Sequence, residues 1–327
     1  IPRLVRRALC LPQKCPGYLP VFRSIRAKSV TILMYHGVTA KPLPVFNWCQ
    51  LPMEEFEAQI LFLCEEYCVF PLSEVIHRLS RKLPLPERAV CLTFDDGFRN
   101  VLTTAAPIMK RYEIPATVFL VTSLVDTDQP AWPELLYHAV ATTRKASLSL
   151  FGTVWPLETL AHQALAFVGI VEHLKNMDAQ EKDRQLETVF LALEVQPKIE
   201  PDSVLSTMNW DEVWQLHKTG LFTFGAHTHT HQILSRLAPD AQHDELRKSR
   251  EILLERMGSA DFFAYPNGTR ADFTDTTKKF VRELGYSCGL STQIGLVGAH
   301  DDLYELRRVG IGADTTRTQF ELRMLGL

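Results

Sequence analysis

The sequence predicts an α/β fold built on a parallel sheet or barrel. From residue 30, apolar runs rich in β-branched residues alternate with amphipathic helical stretches in the order β, α, β, α, β, α, β. The two most polar motifs of the chain each follow such an apolar run directly. Strands alternating with helices argue for a parallel arrangement, whose active sites gather at the carboxyl ends of the strands. At 327 residues, 46% hydrophobic and 22% charged, the chain has enough apolar material for one large core.

The elements follow in order. "SVTILMYHGV" is a buried strand ending near His36 and Gly37. In "MEEFEAQILFLCEEY", Phe56, Ile60 and Leu63 stand at i, i+4 and i+7, the stripe of a helix packed on a sheet. A short strand "CVF", a helix that Ser73 is placed to cap, and the strand "RAVCLTF" come next. A helix over about 98–111 leads to the buried strand "IPATVFLVT". Residues 124–205 break the rhythm; rich in Leu, Ala and helix formers, they read as a helical insertion between two barrel units. The rhythm returns with "NWDEVWQLHKTG", where Asn209 caps, Trp210, Val213 and Leu216 form a stripe, and Gly220 stops the helix. Strand "LFTFGA", a helix over 239–257, strand "FFAY", a helix ending at Gly285, strand "YSCGLS" and a last helix from Thr316 complete the chain.

A net charge of -3 gives no ground for wholesale nucleic-acid binding. The charge is unevenly placed. Residues 1–29 form a basic leader, with Arg3, Arg6, Arg7, Lys14, Arg23, Arg26 and Lys28 and no acid, suited to peripheral contact with an anionic membrane surface or to a solvated lead-in. No run approaches the roughly 18 consecutive apolar residues of a spanning helix. The chain opens on Ile1 rather than Met, which leaves room for a signal segment removed upstream. Seven cysteines form no CxxC pair, and Cys64 and Cys91 lie inside apolar runs that would bury them as small hydrophobes. That usage favours a reducing compartment, hence a cytoplasmic, membrane-adjacent protein.

The chemistry-bearing residues sit after two strands. "CLTFDDGFRN" places Asp95 and Asp96 where ordinary turn chemistry would also favour Asp and Gly. "GAHTHTHQIL" changes the weighing, because three histidines in five residues are hard to explain by packing. In an extended backbone His227, His229 and His231 share a face; in a helical one, His227 and His231 point together and His229 away. A zinc site takes about three nitrogen or oxygen ligands with a position left open for water. Two histidines and one carboxylate of the Asp pair meet that requirement, leaving the other carboxylate free to accept a proton.

"TFDDG", "HTHTH" and "FAYPNG", in that order, resemble the successive motifs of the polysaccharide deacetylase, or NodB-homology, family. The resemblance runs from about residue 30 to the end and is weakest over the insertion. It implies a distorted (β/α) barrel of about seven parallel strands that hydrolyses N-acetyl groups from the amino sugars of glycans. Carried over position by position, it makes Asp95 the catalytic base, Asp96, His227 and His231 the ligands of Zn2+ (Co2+ or Ni2+ being alternatives), and His229 a bystander. Two departures stand out. The third motif offers Ala264 where the family has arginine and Asn267 where it has tyrosine, so the Asn267 backbone N–H is expected at the oxyanion. Arg308 in "YELRRVGI" is the expected replacement for the arginine, with Arg307 next and a surface arginine as the plain alternative. The general acid is expected from His36, because some members that act on exported poly-N-acetylglucosamine place it in a "YH" pair on the first strand; His300 in "GAHDDL" fits poorly.

Alternative readings are a metal-dependent amidohydrolase or deformylase acting on another acylated amino sugar, and a glycan-binding homologue without activity. A phosphotransferase built on a strand-end Asp would want an alternating DxD rather than adjacent carboxylates.

Overall fold

The computed structural model describes residues 29–127, 130–196, 198–200 and 203–324. The basic leader, with the membrane contact expected of it, lies outside the described residues apart from Ser29. Among the described residues no helix is long and apolar enough to cross a membrane.

The first half runs β1 (Ser29–Tyr35), β2 (Gly37–Thr39), β3 (Gln50–Pro52), α1 (Met53–Glu66), β4 (Cys68–Val69), α2 (Leu72–Ser80) and β5 (Ala89–Phe94). A π-turn at Val101–Ala105 then enters α3 (Ala106–Arg111), followed by β6 (Ala116–Leu120). Residues 124–205 hold α4 (Trp132–Thr142), a hairpin of β7 (Ser147–Leu150) and β8 (Thr153–Pro156), α5 (Leu160–Lys175) and α6 (Ala179–Leu193). The second half runs α7 (Trp210–His217), β9 (Phe222–Ala226), α8 (Pro239–Met257), β10 (Phe262–Ala264), α9 (Asp275–Glu283), β11 (Cys288–Leu290), β12 (Val297–Gly298), β13 (Val309–Gly310) and α10 (Arg317–Met324).

The main sheet curls into a half-barrel in the order β11-β10-β9-β6-β5-β1-β12, with β13 beside β1 and β4 beside β5. Every pairing in it is parallel except β1 with β12. The strands read as continuous apolar runs because both faces are covered. Leu33, Tyr35, Leu92 and Phe94 pack with Phe56, Ile60 and Leu63 of α1. Their neighbours Ile32 and Cys91 belong to a second cluster with Phe119, Ala264 and Cys288. The insertion has its own core, including Leu136, Val140, Ile170, Leu174, Val189 and Phe190.

Three local expectations need correction. Ser73 does not cap α2; Pro71 is the N-cap, its carbonyl accepting from Glu74 and Val75, so Ser73 falls inside the first turn. Cys64 is exposed while Cys91 is buried; Cys64 follows Leu63, and one residue turns the helix by about 100°, off the buried stripe. The insertion is not wholly helical. Phe151 and Gly152, both at positive φ, turn the hairpin, the backbone a two-residue turn of this hand requires. The helix over 239–257 and the Asn209 cap are as the sequence predicts, and Glu212 completes that cap into a capping box.

Candidate active site

β5 delivers two carboxylates in two directions. Asp95 continues the strand, its N–H donating to the Tyr35 carbonyl at 2.9 Å. Asp96 is left-handed, φ 68°, and Gly97 follows at φ 70°. Asp tolerates that region better than most residues. A Cβ at Gly97 would come within 2.7 Å of Leu120 Cδ2, which would have to shift, and the left-handed φ itself favours glycine. The sharp bend separates two adjacent side chains that a regular strand would merely send to opposite faces.

β9 delivers the histidines by a loop that is neither extended nor helical. Thr228 and His231 both have positive φ, 61° and 60°. The Thr228 hydroxyl accepts from the His231 N–H at 3.0 Å. Glu245 of α8 pins the loop from outside, accepting from the His229 N–H at 3.0 Å, the Thr230 N–H at 2.8 Å and the Thr230 hydroxyl at 2.8 Å. No sequence signal pointed to Glu245, which lies 15 residues beyond Thr230 in an otherwise ordinary surface helix. His227 and His231 therefore face each other, ring centroids 5.0 Å apart. His229 turns aside, its Nδ1 3.0 Å from the Thr122 hydroxyl.

Asp96, His227 and His231 form one cluster, each offering a ligand atom within 4.8 Å of the others. Asp96 Oδ1 lies 3.5 Å from His227 Nε2 and 3.2 Å from His231 Nε2. Donors about 2.0–2.1 Å from a tetrahedral metal are separated by about 3.3 Å, so the spacing suits one small cation. Two further observations fit a metal. Asp96 Oδ1 is buried without a hydrogen-bond partner among the described residues. His227 Nδ1 is 2.7 Å from the Ala264 carbonyl, which can only accept, so the proton sits on Nδ1 and the Nε2 lone pair of the neutral ring faces the carboxylate. Burial first, and the neighbouring His231 with it, pushes His227 down to about 4 against the pull of Asp95, which keeps that ring neutral. For Asp96, burial would raise the carboxyl, but His231 and the other histidines beside it hold it below the usual carboxylate range.

Asp95 has a different partner. Arg308 Nη1 and Nη2 donate to its two oxygens, each at 2.8 Å, with side-chain exposures of 0% and 3% for the pair. Arg308 Nε donates to the Ser291 carbonyl at 2.8 Å, and its guanidinium lies 5.9 Å from the Phe119 ring. The surface-arginine alternative is excluded by that burial. Burial raises the Asp95 carboxyl, and Arg308, with His227 and His36 beside it, more than offsets that, leaving the group below its ordinary range. Arg307 instead pairs with Asp301 at 2.8 Å.

His36 follows β1 and points its Nε2 at Asp96 Oδ2, 4.0 Å away, with its ring edge-on to Trp48. Its Nδ1 has no hydrogen-bond partner among the described residues. Asn267, at φ 56°, lies three residues beyond the Ala264 carbonyl that holds His227. Its carbonyl accepts from the Thr292 hydroxyl at 2.6 Å. Ala264, at the arginine position of the motif, is fully buried and serves through that backbone carbonyl. His300 is exposed. Glu134, in the first turn of α4, is buried; burial, then the charge of Asp96, pushes its carboxyl up to about 8.

A family model described as polysaccharide deacetylase matches residues 82–146 and 173–289, more than half of the chain. The unmatched stretch between them contains the β7–β8 hairpin and most of α5. The poly-beta-1,6-N-acetyl-D-glucosamine N-deacetylase of Staphylococcus aureus is 30% identical over 139 residues, 42% of this chain and 44% of that protein. The matches thus span less than half the length of the curated relatives. Among solved structures, the Streptococcus pyogenes deacetylase PplD in complex with acetate superposes with a TM-score of 0.61 at 20% identity, covering 90% of this chain and 98% of that one. IcaB from Ammonifex degensii gives 0.58 at 18% identity, covering 91% and 97%. These likenesses establish the half-barrel fold.

Proposed function

The chain belongs to the polysaccharide deacetylase family, and from that premise we propose that it removes N-acetyl groups from amino sugars of a glycan by metal-dependent hydrolysis. The observation that carries this reading is the pairing of two sites. An ionised, arginine-held Asp95 adjoins a carboxylate and two imidazoles whose lone pairs converge. A binding module has no use for that second, separately held carboxylate.

Asp96, His227 and His231 would hold the metal, with zinc as our assignment and cobalt or nickel acceptable to the same donors. Bound there, it supplies Lewis acidity to an amide carbonyl and to water. Asp95 takes the proton of the attacking water. Arg308 fixes both oxygens of that base and keeps it charged. The Asn267 N–H, which donates to no described residue, stabilises charge developing on the amide oxygen. His36 returns a proton to the departing amine. The name of the staphylococcal relative supports poly-N-acetylglucosamine as a substrate class; we carry over the bond type.

The test is acetate release from N-acetylglucosamine oligomers by metal-stripped protein with and without added zinc. Acetate only with zinc is the expected result. Metal uptake without acetate from any N-acetylated glycan would overturn the assignment, and formate from N-formyl substrates in its place would move it to deformylation.

A further inference from the structure

Trp48 is brought to the active site by a strand pair and kept there by two glycines. β2 begins at Gly37, directly after His36, and pairs with β3 in the register Gly37 to Gln50, so the loop between them returns Trp48 beside His36. The Gly37 N–H donates to the Cys49 carbonyl at 2.9 Å and fixes that return. The two rings meet edge to face, centroids 5.6 Å apart and planes at 75°. The indole also packs on Gly312, where a Cβ would fall 2.3, 2.4 and 2.5 Å from three of its ring atoms, and on Gly310, where the approach would be 3.2 Å. Neither glycine has a positive φ, so close approach and not backbone conformation calls for them. The Trp48 carbonyl accepts from the Ala313 N–H at 3.0 Å, closing the seat.

The use of this contact follows from what His36 lacks. A histidine that moves a proton in catalysis is usually oriented by a hydrogen bond to its second nitrogen. His36 Nδ1 is buried and has no hydrogen-bond partner among the described residues. Its Nε2 is 4.0 Å from Asp96 Oδ2, too far for a hydrogen bond to set the plane of the ring. Trp48 is left to do so, since an edge-to-face aromatic pair favours one geometry. The indole is only half-buried, so sealing the core does not account for it. Its seat begins two residues after Arg308, which holds Asp95. The short segment 308–312 thus supports the base directly and the acid through Trp48.

We propose that Trp48, seated on Gly310 and Gly312, is a positioning residue that aims His36 at the departing amine. This role depends on the deacetylase reading, in which His36 is the acid; the seat itself does not. As the C–N bond of the tetrahedral adduct breaks, its electron pair stays on nitrogen and takes the proton of His36. An amide needs that proton, because an amine anion is a very poor leaving group. A 4-nitrophenyl ester does not, because nitrophenolate departs unprotonated. Misplacing the acid therefore slows the amide and spares the ester.

Two measurements separate positioning from packing. The first compares acetate release from N-acetylglucosamine oligomers with hydrolysis of 4-nitrophenyl acetate, both by the zinc-loaded protein. Gly312→Ala, which displaces the indole while leaving both rings in the sequence, and Trp48→Leu should each lower kcat on the oligomers about ten-fold, with KM and ester hydrolysis within about two-fold of the parent. Trp48→Phe, which keeps an aromatic edge, should recover most of the loss. Added to His36→Gln, Trp48→Leu should cost nothing further. Losses shared equally by amide and ester, losses that multiply with His36→Gln, or undiminished amide turnover overturn the proposal. The second measurement follows the His36 ring-proton resonances of the metal-free protein, which the neighbouring indole shifts from their ordinary positions. Gly312→Ala and Trp48→Leu should return them; resonances that stay in place in both variants overturn the seat. If they move but the parent releases no acetate from any oligomer, the seat stands and the deacetylase reading falls.

Discussion

Replacing Arg308 with methionine isolates what holds the proposed base, Asp95. In the folded chain Arg308 gives Asp95 two hydrogen bonds of 2.8 Å and gives Ser291 a third of 2.8 Å, all out of contact with water. Methionine fills much of the apolar volume but leaves a buried carboxylate alone, a change that costs about 3–5 kcal/mol when the carboxylate stays charged. The chain escapes part of that cost by protonating Asp95. The sign follows from the two opposing influences. With Arg308 present, the Asp95 carboxyl lies below its ordinary value. Its contribution to stability is therefore complete above the unfolded carboxylate value of about 3.9 and is lost as pH falls through the lower folded value. Without Arg308, burial, the largest single influence, is opposed only by His227 and His36, and the carboxyl moves up from its present value. The acid limb of kcat/KM for acetate release should then move to higher pH, and activity at neutral pH should fall about 10²- to 10⁴-fold, the usual worth of a positioned base. The assay is the pH profile from 4.5 to 9 together with a urea midpoint. Arg308→Lys, which keeps the charge but loses the two-pronged geometry, should fall between and serves if the methionine variant does not fold. A folded Arg308→Met protein with an unmoved acid limb and activity within two-fold of the parent would refute the reasoning.

Other outcomes follow from the same geometry. His231→Ala should abolish tight metal binding, so that zinc at a hundred times the parent's Kd, which raises parental stability by about 2.7 kcal/mol, gives no thermal shift; an undiminished shift would remove His231 from the ligand set. Glu245→Ala leaves the His229 and Thr230 N–H groups without their acceptor, and should weaken metal affinity about 10- to 100-fold by isothermal titration, the usual cost of losing an outer support. Acid should destabilise the metal-free protein through His227. Its folded value is about 4, below the unfolded value of about 6.5, so the unfolded chain binds the extra proton between them. Stability is then full above pH 6.5 and declines towards pH 4, by about 3 kcal/mol; urea midpoints that stay level over that range would contradict a neutral, buried ring.

Much of this was legible because strand-end residues announce themselves. The apolar runs before Asp95 and His227 mark parallel strands, and polar residues at their carboxyl ends mark a site. The fold of the HTHTH loop was not legible, since its geometry depends on left-handed Thr228 and His231 and on Glu245 from another helix. Asp95 and Arg308 are 213 residues apart, and no local pattern links them; the resemblance to the family drew attention to Arg308 by leaving an arginine unaccounted for. The hairpin at 147–156 was readable in principle, as "SLSL" and "TVW" around Phe151-Gly152 alternate in the manner of strands. The surrounding Leu- and Ala-rich helices obscured it. Cys64 shows the limit of run-based burial: inside a helix, an apolar neighbourhood in sequence spans every face.

In the proposed mechanism Asp95 acts on a reaction at a metal it does not hold. Metal stoichiometry and acetate release, measured side by side on the parent and Asp95→Asn proteins with N-acetylglucosamine oligomers, test that separation directly. One equivalent of zinc in both proteins and turnover in the parent alone are the expected results. Loss of zinc from Asp95→Asn, or retained turnover with zinc in place, would contradict it.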